Sequence, residues 1–331
     1  MTQATAHRKT RKTTRWGTFL LVFLLCFSLA LLLRRADVAT DSMRKGLALC
    51  SRVIVPSLFP FMVLSELLVT SGAGQFLTSP LSPFFEKALG LSKGGCCAVV
   101  LGLVCGFPVG ARCAILAYEQ GSIGRRECER AIACSSIPSS AFVISTVGTI
   151  LWGNGRLGVF FYLTTVFWAL LSGILLYGLQ KREKSEPQIQ LPKSSAKVHF
   201  TAGIFPTAVR NATLNTLLIC AYVVFFSTLT GAVEVILGLF AANEITHAIL
   251  SVILELSGGV SVAAKLADRH LALLLSGVAL GWSGISIHCQ MLSLTDGHNL
   301  SIRPYLAAKL IQAAGCALTF ALVALKTTAI Q

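Results

Sequence analysis

Apolar runs about twenty residues long follow one another through most of this chain, and no other feature constrains its fold as strongly. A helix needs about 20 apolar residues to cross a hydrocarbon core, and it satisfies its own backbone hydrogen bonds where lipid supplies none. Nine runs qualify: residues 16–33, 47–70, 94–117, 132–151, 157–179, 208–230, 233–256, 270–294 and 304–325. Charged residues make up 13% of the chain against about 25% in globular domains, too few to clothe a soluble core of this size. The chain is therefore expected to be an all-α polytopic integral membrane protein of eight to nine hydrophobic segments in a cell membrane.

The net charge of +14 marks orientation, not a nucleic-acid partner, because the basic residues sit at the edges of the apolar runs. Arg8, Lys9, Arg11, Lys12 and Arg15 precede the first run. Arg34 and Arg35 follow it where a signal peptide would carry small residues, so 16–33 reads as an uncleaved anchor with a cytoplasmic N-terminus. Lys181, Arg182, Lys184, Lys193 and Lys197 mark a cytoplasmic linker. The chain then divides into a basic tail and anchor (1–46), a first half (47–179), a linker (180–206) and a second half (207–331). Residues 71–93, with Pro80, Pro83, Phe76, Leu77, Phe84 and Phe85, read as interfacial. The eleven cysteines lie almost all within apolar runs and form no paired CxxC, so neither a disulfide framework nor a metal or other cofactor is expected.

Five full crossings from a cytoplasmic N-terminus would leave the Lys-rich linker outside, against the positive-inside rule. One run must therefore enter and leave on the same side. Residues 132–151, broken by Ile137-Pro138-Ser139-Ser140, are expected to do so; an extra crossing by 77–91 is disfavoured by Pro80, Pro83, Glu86 and Lys87. A short internal match lays Gly106-Phe107-Pro108-Val109-Gly110-Ala111-Arg112 on Gly259-Val260-Ser261-Val262-Ala263-Ala264-Lys265. A second broken run follows each, at Pro138-Ser139-Ser140 and at Trp282-Ser283-Gly284. With one re-entrant element per half, the halves would be inverted copies with discontinuous helices, the usual build of secondary transporters.

Three clusters carry the polar groups of these runs. Gly106 and Pro108 should open a helix and expose backbone groups, with Arg112 available to an anion or carboxylate, or snorkelling at the membrane edge. Glu255, beside Ser257, Gly258 and Gly259, places a carboxylate at a break. Holding one at mid-membrane costs roughly 3 kcal/mol or more, and a residue kept there suits coupling to H+ or Na+; the alternative is an interfacial glutamate. Ser283, Gly284, Ser286, His288 and Gln290 set hydroxyl, imidazole and amide groups at a third break, suitable for a polar solute, although a lone histidine is more often a packing residue. Ser139 belongs to the matching cluster Ser135, Ser136, Pro138, Ser139 and Ser140, where serine also serves simply as helix-to-helix glue. Arg52, Glu66, Asn211 and Asn215 are further polar residues in apolar runs, and Arg52 and Glu66 lie too far apart on one helix to pair. The chain has no P-loop, HExxH or GxSxG, and no enzyme activity is expected.

These same residues give the chain a resemblance to bacterial sporulation integral membrane proteins of the YlbJ type, within the wider group carrying a nucleoside-recognition, or Gate, domain. The matching pieces are Pro56-Ser57-Leu58-Phe59-Pro60-Phe61, Gly106 to Arg112 with Tyr118-Glu119, the loop 127–131, Glu255 to Gly259, and Ser283 to Gln290 with Arg303-Pro304-Tyr305-Leu306. The family commonly has asparagine near the place of Ser135 to Ser139. The resemblance implies endospore formation in a Firmicutes-like bacterium and a transporter-like membrane domain. A small polar solute, the lipid bilayer, and either further copies of the chain or other sporulation membrane proteins are the expected partners. The alternative is a non-transporting scaffold for spore coat or cortex assembly.

Overall fold

The computed structural model describes residues 34–182, 203–239 and 243–328, together with Ala30. The rest of the expected anchor and residues 183–202 of the linker lie outside the described residues. Every regular element among the described residues is helical.

Helix α1 (Ala36–Leu49) begins before the expected start at residue 47, widens into a π-helical turn at Cys50–Ile54 and continues as α2 (Val55–Thr70). The wide turn falls just ahead of Pro56, whose missing N–H leaves the α pattern incomplete. Two short helices, α3 (Ala73–Thr78) and α4 (Ser82–Leu89), then turn 87° from α2. They leave Phe76, Leu77, Leu81 and Phe84 exposed, while Phe85 is buried. Next come α5 (Lys93–Cys105), α6 (Val109–Glu119), α7 (Arg125–Ser135), a π-helix at Phe142–Leu151 and α8 (Gly155–Arg182).

The second half opens with α9 (Ile204–Leu239). Residues 233–256 are not the single segment the sequence suggested. They are shared between the end of α9 and α10 (Glu244–Leu254), whose start is fixed by the Asn243 side chain accepting from Thr246 N–H at 2.9 Å. Helices α11 (Leu256–Ala263), α12 (Arg269–Trp282), α13 (Gly284–Thr295) and α14 (Arg303–Thr328) complete the chain. Among the described residues four spans are long and apolar enough to cross a membrane, namely Gly155–Gln180, Ile204–Gly238, Arg269–Thr295 and Arg303–Leu325, or five if the bent pair around Ser71 is one span. Their outer faces carry Leu163, Phe167, Leu214, Phe225, Leu318 and Leu322 uncovered, a surface that lipid and not water would solvate.

Contacts along α8 give the direction of the neighbouring segments. Arg130 of α7 bonds Gln180 at 2.5 Å, a Cβ at Gly173 would strike Cys134, and Gly148 of the π-helix packs on Gly158. Gly158 and Gln180 are about 33 Å apart along a helix, so α7 and the π-helix together run the whole length of α8. This corrects the expectation that 132–151 doubles back. The segment that does so is 94–117. Helix α5 rises from the end of the molecule where α8 finishes, here the lower end, and breaks at Gly106-Phe107-Pro108. Helix α6 returns to that end, where Ile123 and Ser122 sit against Gly94. A Cβ on Gly110 would lie 2.5 Å from the Gly102 Cα, so the two arms zip together backbone to backbone through glycines.

A second hairpin, α10–α11, opens at the opposite, upper end. Ala248 and Leu266 cluster there with Trp152, and the Arg269 guanidinium stacks 4.3 Å above the Trp152 ring. Its arms meet where a Cβ on Gly259 would lie 2.6 Å from the Val252 Cα. Helices α12 and α13 then run the full depth beside α14, with Gly277 against Phe320, Ser283 against Lys309 and His288 against Tyr305.

Candidate functional site

Each half brings two chain breaks into contact. In the first, the tip of the α5–α6 hairpin meets the gap between α7 and the π-helix: Phe107 N–H donates to the Ile137 carbonyl at 2.7 Å, and a Cβ at Gly106 (φ +79°) would strike Ser139. Gly106 and Ser139 are thus in contact, with Pro108 next to them on the hairpin tip. Ser139 accepts from Phe142 N–H at 3.2 Å, starting the next helix, and Ser140 donates to the Val104 carbonyl freed by the break.

In the second half the break of the hairpin is Glu255 itself, in extended conformation (φ −146°, ψ 139°). Its Oε2 accepts from Gly258 N–H at 2.6 Å and caps α11. Ser257 and Gly258 form the first turn of that helix, while Gly259 lies inside it. In each hairpin the arm-packing glycine follows the break by four residues, Gly110 after Gly106 and Gly259 after Glu255. Against Glu255 sits Gly284, where a Cβ would lie 2.9 Å from the Glu255 Cα. Ser283 and Gly284 both have left-handed backbone (φ 72° and 83°), which ends α12 and restarts the chain as α13.

Helix α14 ties the α12–α13 break to α7 and α8, and contributes residues that sequence reasoning missed. Lys309 Nζ lies 2.9 Å from Ser283 Oγ and 3.4 Å from the Gly281 carbonyl, a freed acceptor at the C-terminus of α12. One turn on, Gln312 Nε2 donates to the Ala133 carbonyl of α7 and to Ser172 Oγ of α8, both at 3.2 Å. Both side chains are 0% exposed. The signal was present: Lys309 is a lone charge inside the apolar run 304–325.

His288 and Gln290 are buried on α13. His288 Nδ1 is 2.8 Å from the Tyr305 hydroxyl, while Nε2 has no partner; Gln290 reaches Ser286 Oγ at 3.4 Å and leaves its Oε1 unpaired.

Arg112 is not at a break. It lies lower on α6, its guanidinium 3.6 Å from both Glu66 and Glu119, so it is an ion-paired residue and not a snorkelling one. Asn211 Nδ2 donates to the same Glu66 oxygen at 2.7 Å, and His298, from the loop before α14, meets Glu119 at 2.6 Å. Only a small gap opens here between α2 and α6, lined by Met62, Ser65, Glu66, Val109, Arg112, Cys113 and Leu116. Among the described residues no cluster of His, Cys, Asp and Glu has the makings of a metal site.

Long apolar spans, lipid-facing side chains and breaks buried at mid-depth define a multi-pass helical membrane protein. The chain is 23% identical over 326 residues to the sporulation integral membrane protein YlbJ of Bacillus subtilis (strain 168), a match covering 89% of this chain and 80% of that protein, and this supports a YlbJ-type assignment. No family model matches the chain. No solved structure matches it either.

Proposed function

We propose that this is a sporulation-associated, transporter-like membrane protein that binds or moves a small polar solute at the paired breaks, and that its halves are inverted copies. One observation carries the reading. In each half a helical hairpin places its tip against the break of a helix running the full depth, so that irregular backbone is buried inside the bundle. Irregular backbone is tolerated at such depth where it packs on protein or lines a cavity. The hairpins open at opposite ends, which is what inversion requires. With 94–117 re-entrant, α1–α2, α7 with the π-helix, and α8 make three crossings, and adding the crossing expected of 16–33 from its sequence puts the Lys-rich linker on the cytoplasmic side, as the positive-inside rule asks.

Glu255, Ser283, Gly284, Lys309, His288 and Gln290 form the second-half side of the site; Gly106, Pro108 and Ser139 form the other. Arg112 supports the hairpin through Glu66 and Glu119. H+ or Na+ is the coupling ion suggested by a buried carboxylate. The test is uptake into proteoliposomes from a panel of nucleosides, amino acids and dicarboxylates, comparing the native chain with Glu255→Gln. Uptake lost at unchanged protein level supports the reading. A chain that moves nothing, sporulates normally with Glu255→Gln and fails only when 180–200 is replaced is a scaffold instead.

A further inference from the structure

Lys309 is fully buried, yet its two partners, the Gly281 carbonyl and the Ser283 hydroxyl, are both neutral. No carboxylate among the described residues lies within ion-pair distance of it. An ammonium held in apolar surroundings without a counter-charge is costly, and the partial negative charge at the α12 C-terminus offsets only part of that cost.

The groups around the same break are mostly donors. Helix α13 starts at Gly284 with no side-chain cap, because the Ser283 hydroxyl receives Lys309 and donates back to the Leu280 carbonyl at 3.3 Å. The first N–H groups of this twelve-residue helix therefore have no side-chain acceptor. His288 leans back over them, as helical side chains do, with its ring edge-on to Trp282 at 4.3 Å. It is 7% exposed and its Nε2 is buried without a partner. In the tautomer in which the Tyr305 hydroxyl donates to Nδ1, Nε2 carries the proton and is a third donor. Glu255 also borders the break, but its Oε2 is held by the Gly258 amide.

We propose that this break binds the carboxylate of a small solute, with the Lys309 ammonium as counter-charge and His288 Nε2 and the α13 N-terminus as hydrogen-bond donors. The inference rests on the solute-binding reading above and gives that solute a chemical class. A simple monocarboxylate and an α-amino acid both present the group; the amino acid would also place its ammonium toward Glu255. An uncharged nucleoside offers nothing to balance Lys309.

The purified full chain in nanodiscs, titrated with propionate, alanine and uridine at constant ionic strength, tests this by thermal unfolding and calorimetry. Saturable stabilisation by propionate or alanine is expected, since a ligand bound only by the folded state raises its stability. Lys309→Gln should weaken that binding roughly tenfold or more, the usual effect of losing a charge-assisted hydrogen bond. Should Lys309→Gln fail to fold, His288→Asn carries the test: it keeps a partner for Tyr305, removes the Nε2 donor and should weaken the same ligands several-fold. Glu255→Gln should weaken alanine alone, which separates the two sources of carboxylate. Carboxylate binding indifferent to Lys309→Gln, or uridine binding without carboxylate binding, overturns the proposal and leaves the solute-binding reading standing. Stabilisation by none of the three overturns both.

Discussion

At the scale of single residues, Glu255 shows how one side chain can hold structure and chemistry together. Its carboxylate caps α11, and glutamine supplies the same acceptor to Gly258 N–H while alanine supplies none. Glu255→Gln should therefore leave the melting temperature of the purified protein unchanged, whereas Glu255→Ala should cost ~1 kcal/mol of stability. A large loss of stability in Glu255→Gln would mean that the charge itself holds the fold. Arg112 makes a complementary case. Glu66 is 5% exposed and Arg112 18%, so Arg112→Met should destabilise by roughly 1–3 kcal/mol, less than the 3–5 of a fully buried pair. Much of that cost should vanish in a Glu66→Gln background, and a double-mutant cycle on melting temperatures measures the coupling. Strict additivity would show that the 3.6 Å contact contributes little.

At the scale of elements, glycines decide which broken run turns back. The arms of the first hairpin approach so closely that a Cβ at Gly102 would meet Gly110 and Ser135, and Gly102→Val should cost about 1–3 kcal/mol through overpacking. Gly178 on α8 faces open space, so Gly178→Ala should be neutral or slightly stabilising, and melting temperatures of the two variants give the comparison. The sequence marked Gly106-Phe107-Pro108, Pro138-Ser139 and Ser283-Gly284 as breaks because proline and glycine act locally. It did not show that 94–117 reverses while 132–151 continues, since the path after a break is set by what the next turn packs against. Glu255 was legible as a carboxylate beside glycines, but the break falls on a residue with no intrinsic tendency to break a helix, so its place as the break itself was not. Lys309 was passed over because a single lysine barely disturbs a long apolar window. Only the fold reveals that it is turned inward.

The whole molecule presents two ends. Ser92 and Ser122 lie at the lower end with the start of the linker, whereas Ala267 lies in the exposed turn before α12 at the upper end. In a cysteine-free background, Ser92→Cys and Ser122→Cys should both react with an impermeant thiol reagent from the cytoplasmic side, and Ala267→Cys from the other. Labelling of Ser92→Cys and Ser122→Cys from opposite sides would restore 94–117 as a crossing.

Helix α14 is where the two halves become mechanically dependent on each other. Lys309 grips the α12–α13 junction and Gln312, one turn away, grips α7 and α8. Successive residues on a helix differ by about 100° of rotation, so even a single-residue roll of α14 would disengage both grips together. The helix thus behaves like a key cut for two locks, fitting both in one orientation, and any rocking of one half against the other must first decide which lock it leaves.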